Sequence, residues 1–240
     1  MKRDSTFNYK IFHSTAPLPC PYIKGRVERR VVAELTGQNV HLLHEDLTNA
    51  GFRRSHGICY APACPSCQAC IAVRIIAREF FPSKSQRRCT KKNSDLGGKF
   101  IEPHATSEQY LLFCKYQNAR HNDGDMASMS YFDFKILVED TPVNTFLVEF
   151  RTPDKELIAA CLIDKLKDGL SAVYSFFDPK LERRGLGNYI ILWLIMKAQE
   201  MNMSFVYIGF WIKNCTKMSY KDQFKPFEYK TLRGWQRIHR

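Results

Sequence analysis

The feature that most constrains this chain is a run of three strand-like segments between residues 143 and 177. The segments are Val143 to Phe150, Leu157 to Ile163 and Leu170 to Phe177. Lys167-Asp168-Gly169 has the composition of a hairpin turn and joins the last two. Strands joined by a tight turn pair in antiparallel fashion, so we predict an antiparallel sheet in this part of the chain.

The next two segments predict how the chain returns to that sheet. Tyr189 to Met201 is apolar nearly all round, as buried helices are, and Ser204 to Trp211 has the pattern of a strand. A helix between two strands acts as a crossover, which predicts an α/β (α+β) fold with a mixed sheet. This order resembles the C-terminal half of GNAT-type acyltransferases.

The loop before the predicted crossover helix is a candidate anion site. It contains Arg183 and Arg184, followed by Gly185 and Gly187 at the start of the helix. Backbone N–H groups and arginines at a helix start can bind a phosphate or a carboxylate. In GNAT-type proteins this loop carries a phosphate or acyl-carrier site, but Glu182 stands here where an Arg or Gln is usual. A simple capping loop is the alternative interpretation.

The charge of the chain is divided unevenly. Residues 1–100 carry a net charge of +10, residues 101–212 carry −4 and residues 213–240 carry +6, within a total of +12. Basic flanks around an acidic middle favour binding of a polyanion such as RNA, because Lys and Arg gain affinity by releasing counterions. Solubility alone is the alternative explanation.

A basic helix is predicted after Pro82. Ser83 and Gln86 form a capping box that starts it. Five cations then recur at the spacing of one helix face and repel one another, which indicates that phosphates neutralise them. These cations are Lys84, Arg87, Arg88, Lys91 and Lys92.

The cysteines suggest a metal site. Cys64, Cys67 and Cys70 form a doubled C-x-x-C, and Cys20 lies upstream. Thiolates at this spacing suit tetrahedral zinc or an iron–sulfur cluster, whereas ordinary reduced cysteines are the alternative. The sequence therefore predicts no required cofactor, with zinc or a cluster as a candidate at this loop.

Two domains are predicted, with the boundary at Gly97-Gly98. Residues 1–95 form an N-terminal domain with the Cys loop and the basic helix, and residues 96–240 form the C-terminal GNAT-like domain with a basic tail. The longest apolar run is too short to cross a bilayer, and the polar start of the chain lacks the apolar core of a secretory signal. We therefore expect a cytoplasmic protein without a membrane partner.

Eight short strings carry a more particular resemblance, in the same order and across almost the entire chain. They are Pro19-Cys20-Pro21-Tyr22, Gly51-Phe52-Arg53-Arg54-Ser55, Cys67-Gln68-Ala69-Cys70 with Val73-Arg74, Ser85-Gln86-Arg87-Arg88-Cys89, Arg120-His121-Asn122-Asp123-Gly124-Asp125-Met126, Asp168-Gly169-Leu170-Ser171-Ala172-Val173-Tyr174, Phe177-Asp178-Pro179 and Lys217-Met218-Ser219-Tyr220-Lys221. Together they are similar to the aminoacyl-tRNA protein transferases, most closely to the bacterial leucyl-transferring branch, a relative of the eukaryotic arginyl-tRNA protein transferases. The chain departs from the eukaryotic pattern at Ile23, where those relatives have a second cysteine.

The resemblance implies transfer of leucine from Leu-tRNA to the N-terminal amine of proteins that begin with Asp or Glu. Such an adduct would mark the acceptor for degradation through the N-degron pathway. The partners implied are aminoacyl-tRNA and acid-headed proteins, and no DNA. Arginine as the donated residue is the alternative within the family. Outside it, the alternatives are an acetyl-coenzyme A-dependent acetyltransferase and an RNA-binding module without turnover.

Three sets of site residues follow for that reaction. Arg74, Arg87 and Arg88 are predicted to bind the acidic side chain of the acceptor, because a guanidinium grips a carboxylate at two points. Tyr174 and His121 are the candidates for orientation or proton transfer. The tRNA is predicted to contact Lys91, Lys92, Arg183, Arg184, Lys217, Tyr220 and Lys221.

Overall fold

The computed structural model describes residues 11–122, 124–213 and 215–238, without the side chains of residues 125, 216 and 217. The N-terminal part forms an antiparallel sheet in the order β1-β4-β6-β5, a small β2-β3 pair and one helix. Its elements are β1 (Phe12–Ser14), β2 (Leu18–Pro19), β3 (Val27–Glu28), β4 (Arg30–Glu34), α1 (Val40–Asn49), β5 (Arg53–Ser55) and β6 (Ile58–Pro62).

The remaining strands form one large sheet of eight strands. They are β7 (Ile71–Ile76), β8 (Gly97–Ile101), β9 (Thr145–Arg151), β10 (Leu157–Lys165), β11 (Gly169–Phe177), β12 (Phe205–Trp211), β13 (Phe227–Thr231) and β14 (Gly234–Ile238). The order across the sheet is β14-β13-β7-β12-β11-β10-β9-β8. All neighbours are antiparallel except β11 and β12, so the predicted mixed sheet with a helix crossover is confirmed.

Five further helices complete the fold, and capping boxes start three of them. They are α2 (Lys84–Lys92), α3 (Ser107–Arg120), α4 (Tyr131–Glu139), α5 (Leu186–Glu200) and α6 (Thr216–Ser219). Ser83 with Gln86 forms one of these boxes at the predicted position, and Thr106 with Gln109 forms another. Helix α4 is not among the predicted elements, although Ser130 with Asp133 caps it in the same way.

The large sheet is covered on both faces. One face packs on α5, where Ile190 and Leu194 are buried against the sheet. The other face packs on α3 and α4, where the rings of Phe113 and Phe134 lie 5.1 Å apart and Phe176 of β11 joins them. This double cover explains why β10 reads as a continuous apolar run. No helix in the described ranges is long and apolar enough to span a membrane.

The glycine pair predicted as a domain boundary has a packing role. Gly97 and Gly98 begin β8, and a Cβ atom on Gly98 would lie 2.5 Å from Nε1 of Trp193. The indole of α5 therefore requires a glycine here. In addition β7, which precedes the pair, lies between β12 and β13, so both predicted domains contribute strands to the large sheet.

Candidate functional site

The candidate site is a cleft opened by a split in the large sheet. β11 and β12 pair only through Gly169–Ser171 and Phe205–Tyr207. Beyond these pairs the parallel strands separate, and a cleft of about 610 Å³ lies at the split. Its apolar wall is formed by Tyr116, Phe177, Ile190, Ile191, Ile208 and Tyr220.

Two cations satisfy carbonyl groups that the split removes from strand pairing. Arg53 Nη2 donates to the carbonyl oxygens of Ala172 and Val173 on β11, at 3.1 and 2.8 Å. Lys221 Nζ donates to the carbonyl oxygens of Ile208 and Phe210 on β12, at 2.8 and 2.6 Å. Buried carbonyl groups need such partners, so the two cations hold the split open without leaving its backbone unsatisfied.

Gly209 brings the two cations close together. It lies between the two carbonyl groups that bind Lys221, and its φ of +77° accompanies a register shift in β12. A Cβ atom at Gly209 would lie 1.7 Å from Nη1 of Arg53. The guanidinium therefore occupies the space that a side chain at this position would need.

Lys221 is buried beside a second positive charge. Burial, and to a smaller extent the charge of Arg53, lowers the pKa of Lys221 to about 7. Its side chain lines the cleft but lies under the surface, whereas the sequence predicted a surface contact with tRNA. The structure thus places this lysine at the floor of the cleft.

The predicted catalytic pair lines the same cleft. Tyr174 accepts a hydrogen bond of 2.6 Å from Nε2 of Gln117, and burial raises the pKa of its phenol to about 12. His121 follows the end of α3, with its ring 5.6 Å from that of Tyr116. The structure therefore brings Tyr174 and His121 together at the cleft, and their catalytic roles stay predictions.

The predicted phosphate-binding cations lie beside the mouth of the cleft. All five cations of the α2 face are exposed, as predicted. Lys92 Nζ donates to the carbonyl oxygen of Arg183 at 2.8 Å, and Arg184 Nε donates to Oδ1 of Asn93 at 3.0 Å. Arg184 also pairs with Asp95. These contacts fix α2 against the loop that precedes α5, so the basic face continues from the rim of the cleft.

The arginines predicted to bind the acidic side chain are not at the cleft. Arg74 Nε donates to Oε2 of Glu228 at 2.7 Å, and its guanidinium lies 3.6 Å from the centroid of the Phe205 ring. Arg87 donates to the carbonyl oxygen of Pro82, and Arg88 is exposed on α2. Tyr220 lines the cleft, whereas the side chain of Lys217 lies outside the described residues.

The cysteine segment forms a pocket elsewhere. Cys20, Cys64, Cys67 and Cys70 all line a small pocket of about 40 Å³. Burial, and then the neighbouring thiols, raises the pKa of Cys70 to about 11. Nevertheless, no group of three or more His, Cys, Asp or Glu side chains in the described part of the chain is placed to hold a metal ion. Thiolates at one pocket have the chemistry that zinc prefers, and the metal site stays a prediction.

Arg53 is a site residue that the sequence patterns did not predict. It lies in the string Gly51-Phe52-Arg53-Arg54-Ser55, which carries part of the family resemblance but no predicted role for either arginine. Two adjacent arginines on a short strand point to opposite sides, which was the available signal. In the structure both have internal partners, Arg54 with Asp164 and Arg53 with the carbonyl groups of β11.

Comparison with known proteins assigns both halves of the chain to one type of protein. Residues 18–88 match the family described as the N terminus of arginine-tRNA-protein transferase, and residues 108–231 match its C terminus. The chain is 51% identical over 227 residues to an aspartate/glutamate leucyltransferase of Paramagnetospirillum magneticum, covering 95% of this chain and 93% of that protein. It is 50% identical to the aspartate/glutamate leucyltransferase of Rhodospirillum rubrum, covering 93% and 92%.

A solved structure shares the fold at much lower identity. The C-terminal domain (DUF2156) of a putative lysylphosphatidylglycerol synthetase from Agrobacterium fabrum superposes with a TM-score of 0.51. The match covers 82% of this chain and 63% of that one, at 12% identity. It supports the mixed α/β architecture of the chain.

Proposed function

This chain belongs to the arginine-tRNA-protein transferase family, and from that membership we propose that it transfers leucine from Leu-tRNA to the N-terminal amine of proteins that begin with Asp or Glu. The observation that carries the proposal is the junction of the cleft with the basic face of α2, where Lys92 contacts the carbonyl oxygen of Arg183. A polyanion bound along that face has its end at the cleft. Aminoacyl-tRNA is a polyanion whose reactive group lies at its end.

The reaction needs mainly placement of its two substrates. The α-amine of a protein has a pKa of about 7.7 to 8.0, so part of it is a free nucleophile at neutral pH. Its nitrogen forms a bond to the ester carbonyl carbon of the leucyl group, and the bond from that carbon to the ribose oxygen breaks. The proton lost by the amine ends on the ribose oxygen. Holding both groups in one cleft supplies most of the acceleration.

Tyr174 is the side chain proposed to stabilise the reacting ester. Its raised pKa keeps the phenol protonated at neutral pH, and Gln117 fixes its oxygen. A protonated phenol can donate to the carbonyl oxygen as that oxygen gains negative charge. The apolar wall around Ile190 and Ile208 suits the leucyl side chain. His121 is kept as the candidate for moving the proton to the ribose oxygen.

The basic face of α2 is proposed to bind the tRNA backbone. In the double variant Lys91→Glu with Lys92→Glu, we expect weaker tRNA binding and a smaller decrease of affinity with rising salt, because fewer counterions are released. Titration of labelled tRNA at several salt concentrations measures the slope. Lys165→Met, at an exposed lysine of β10, is the control. An unchanged slope in the double variant contradicts this surface.

The donor and the acceptor are tested together. Purified protein is incubated with labelled Leu-tRNA or Arg-tRNA and with a peptide that begins with Asp or with Met. We expect leucine on the Asp peptide alone, and none after ribonuclease treatment. Transfer of arginine instead supports the other donor, which the description of the family favours. Labelling of the Met peptide, or of neither peptide, contradicts the proposed function.

The cellular setting is proposed from the substrates. Aminoacyl-tRNA is made in the cytoplasm, so we place the reaction there, and leucine added to an acidic N-terminus would create an N-degron. An acid-headed reporter protein should be degraded faster in cells that contain the protein than in cells that lack it. Equal lifetimes would contradict the degradation role.

Zinc or an iron–sulfur cluster at Cys20, Cys64, Cys67 and Cys70 is also proposed, supported by their shared pocket. No step of the reaction above depends on it. Elemental analysis should find a stoichiometric metal in the purified protein and a loss of it in Cys67→Ser, with Cys215→Ser as the control. Metal-free protein with full activity would contradict this site.

A further inference from the structure

The floor of the cleft carries two basic side chains and, among its described lining residues, no buried carboxylate. Arg53 and Lys221 both approach Gly209, from β5 and from the segment after α6. Among the described residues that line the cleft, the single carboxylate is that of Glu182, whose side chain is 69% exposed and pairs with Arg120. Buried charges in proteins are normally paired, so this arrangement suits an anionic ligand.

The neighbouring titratable groups supply no negative charge. Burial raises the pKa of Cys161 on β10 to about 12, and it raises the phenol pKa values of Tyr116 on α3 and of Tyr220. Burial also raises the phenol pKa of Tyr174 on β11 to about 12. These groups stay neutral at physiological pH, so they leave the two cations uncompensated.

The hydrogen bonds already present do not cancel the charge. Arg53 uses Nη2 for both of its carbonyl partners, and Lys221 gives two of its three N–H groups to carbonyl oxygens. Carbonyl groups are dipoles without net charge. They hold the cations in place, in an apolar wall that strengthens attraction to a carboxylate.

We infer that Arg53 and Lys221 bind the side-chain carboxylate of the acceptor's N-terminal Asp or Glu. This inference rests on the proposed function and names the specificity residues of the same cleft. A carboxylate held here fixes the acceptor's first residue, and therefore its α-amine, in the cleft that Tyr174 also lines. A neutral first residue leaves the two charges unpaired and is disfavoured. The binding role predicted for Arg74, Arg87 and Arg88 thus passes to residues that the cleft contains.

Binding of a carboxylate also removes a cost in the free protein. The lowered pKa of Lys221 means that its protonated form is disfavoured in the empty cleft. An anion beside it favours the protonated form again. Binding of an Asp-headed peptide near pH 8 should therefore be coupled to uptake of a proton.

The test compares peptides that begin with Asp and with Asn, which have the same shape but differ in charge. In the wild-type protein kcat/KM should be much higher for the Asp peptide. The Asp-to-Asn ratio is kcat/KM for the Asp peptide divided by kcat/KM for the Asn peptide. In Lys221→Met and in Arg53→Gln this ratio should fall at least tenfold, with the KM for Leu-tRNA unchanged. Lys221→Arg keeps the charge and should retain most of the ratio, and Lys165→Met should retain all of it.

A merely structural role gives a different result. If the two residues only hold the split open, the rates with both peptides fall together and the ratio stays constant, which overturns the inference. A change confined to the KM for Leu-tRNA also overturns it. Where a variant folds poorly, thermal unfolding identifies it, and the ratio measured with the remaining variants decides.

Direct binding separates this inference from the proposed function. Calorimetry without tRNA should show that the wild-type protein binds the Asp peptide more tightly than the Asn peptide, and that Lys221→Met does not. Such binding with no leucine transfer keeps the inference and overturns the proposed function. Leucine transfer to the Asp peptide with an unaltered ratio in both variants overturns the inference and keeps the function.

Discussion

Two neighbouring residues of β5, the half-buried Arg53 and the buried Arg54, belong to two charge clusters that differ in one respect. Arg54 faces Asp164 of β10, with Nε at 2.7 Å from Oδ2 and Nη2 at 2.7 Å from Oδ1. Thr145 and His44 complete that cluster, and both Arg54 and Asp164 are buried. Arg53 faces the split sheet instead and meets a second cation. The first cluster contains its own carboxylate, whereas the second borders a cleft without one.

The difference separates a structural charge pair from a ligand site. Asp164 accepts hydrogen bonds from Arg54 and Thr145, so its negative charge is balanced by the guanidinium of Arg54 inside the protein. Burial lowers the pKa of His44, which keeps that imidazole neutral beside the pair. This cluster ties β5 to β9 and β10. The Arg53 and Lys221 cluster has carbonyl partners only, which leaves its positive charge available.

The largest effect is expected from breaking the paired cluster. Asp164→Ala leaves Arg54 buried without its carboxylate and should lower the free energy of unfolding by about 3–5 kcal/mol. Urea unfolding measures the change. Asp154→Ala, at an exposed aspartate, should change it by less than about 0.5 kcal/mol. Equal small losses in the two variants would show that the Arg54 cluster is not structural.

A smaller effect is expected from the pH dependence of the open cluster. The pKa of Lys221 falls from an ordinary 10.5 to about 7 in the folded protein. Between these values the unfolded chain binds more protons, so the free energy of unfolding should rise with pH, by roughly 2–4 kcal/mol. Lys221→Met should lose this rise, while Lys165→Met keeps it. Parallel curves for wild type and Lys221→Met from pH 7 to 10.5 would contradict a buried Lys221 with a lowered pKa.

The smallest effect on stability is expected at Gly209. Gly209→Ala adds a Cβ atom at a φ of +77° and displaces the guanidinium of Arg53, at a cost of about 1–2 kcal/mol. The Arg54 pair is untouched, so the fold should persist while the Asp-to-Asn ratio decreases. Gly57→Ala is the control, because a Cβ atom there has no neighbour within 4 Å. An unchanged Asp-to-Asn ratio in Gly209→Ala would contradict a role of Arg53 in binding the acceptor.

Much of the fold could be predicted from local patterns. The strand predicted from Leu170 to Phe177 is observed as Gly169–Phe177, and the helix predicted from Tyr189 to Met201 is observed as Leu186–Glu200. The capping box at Ser83 starts the predicted basic helix. Caps, turns and apolar periodicity depend on residues a few positions apart, so the sequence displays them directly.

The candidate site was only partly predictable for the opposite reason. Tyr174 and Tyr220 reach the cleft as lining residues, whereas Arg74 binds Glu228 of β13 and Lys221 points under the surface. An unpaired lysine or arginine in a sequence looks the same whether its partner is a phosphate, a carboxylate or a backbone carbonyl. Contacts between distant segments make that distinction.

By itself the sequence determined the family, the order of the elements and the basic face of α2. Each of these depends on residues that are close together in the chain. The tertiary structure alone decided that β11 and β12 separate after three residue pairs and that Arg53 and Lys221 meet at Gly209. Charge burial is a property of the surroundings, and these surroundings come from strands far apart in the chain. Packing between distant segments therefore determined which group each cation contacts.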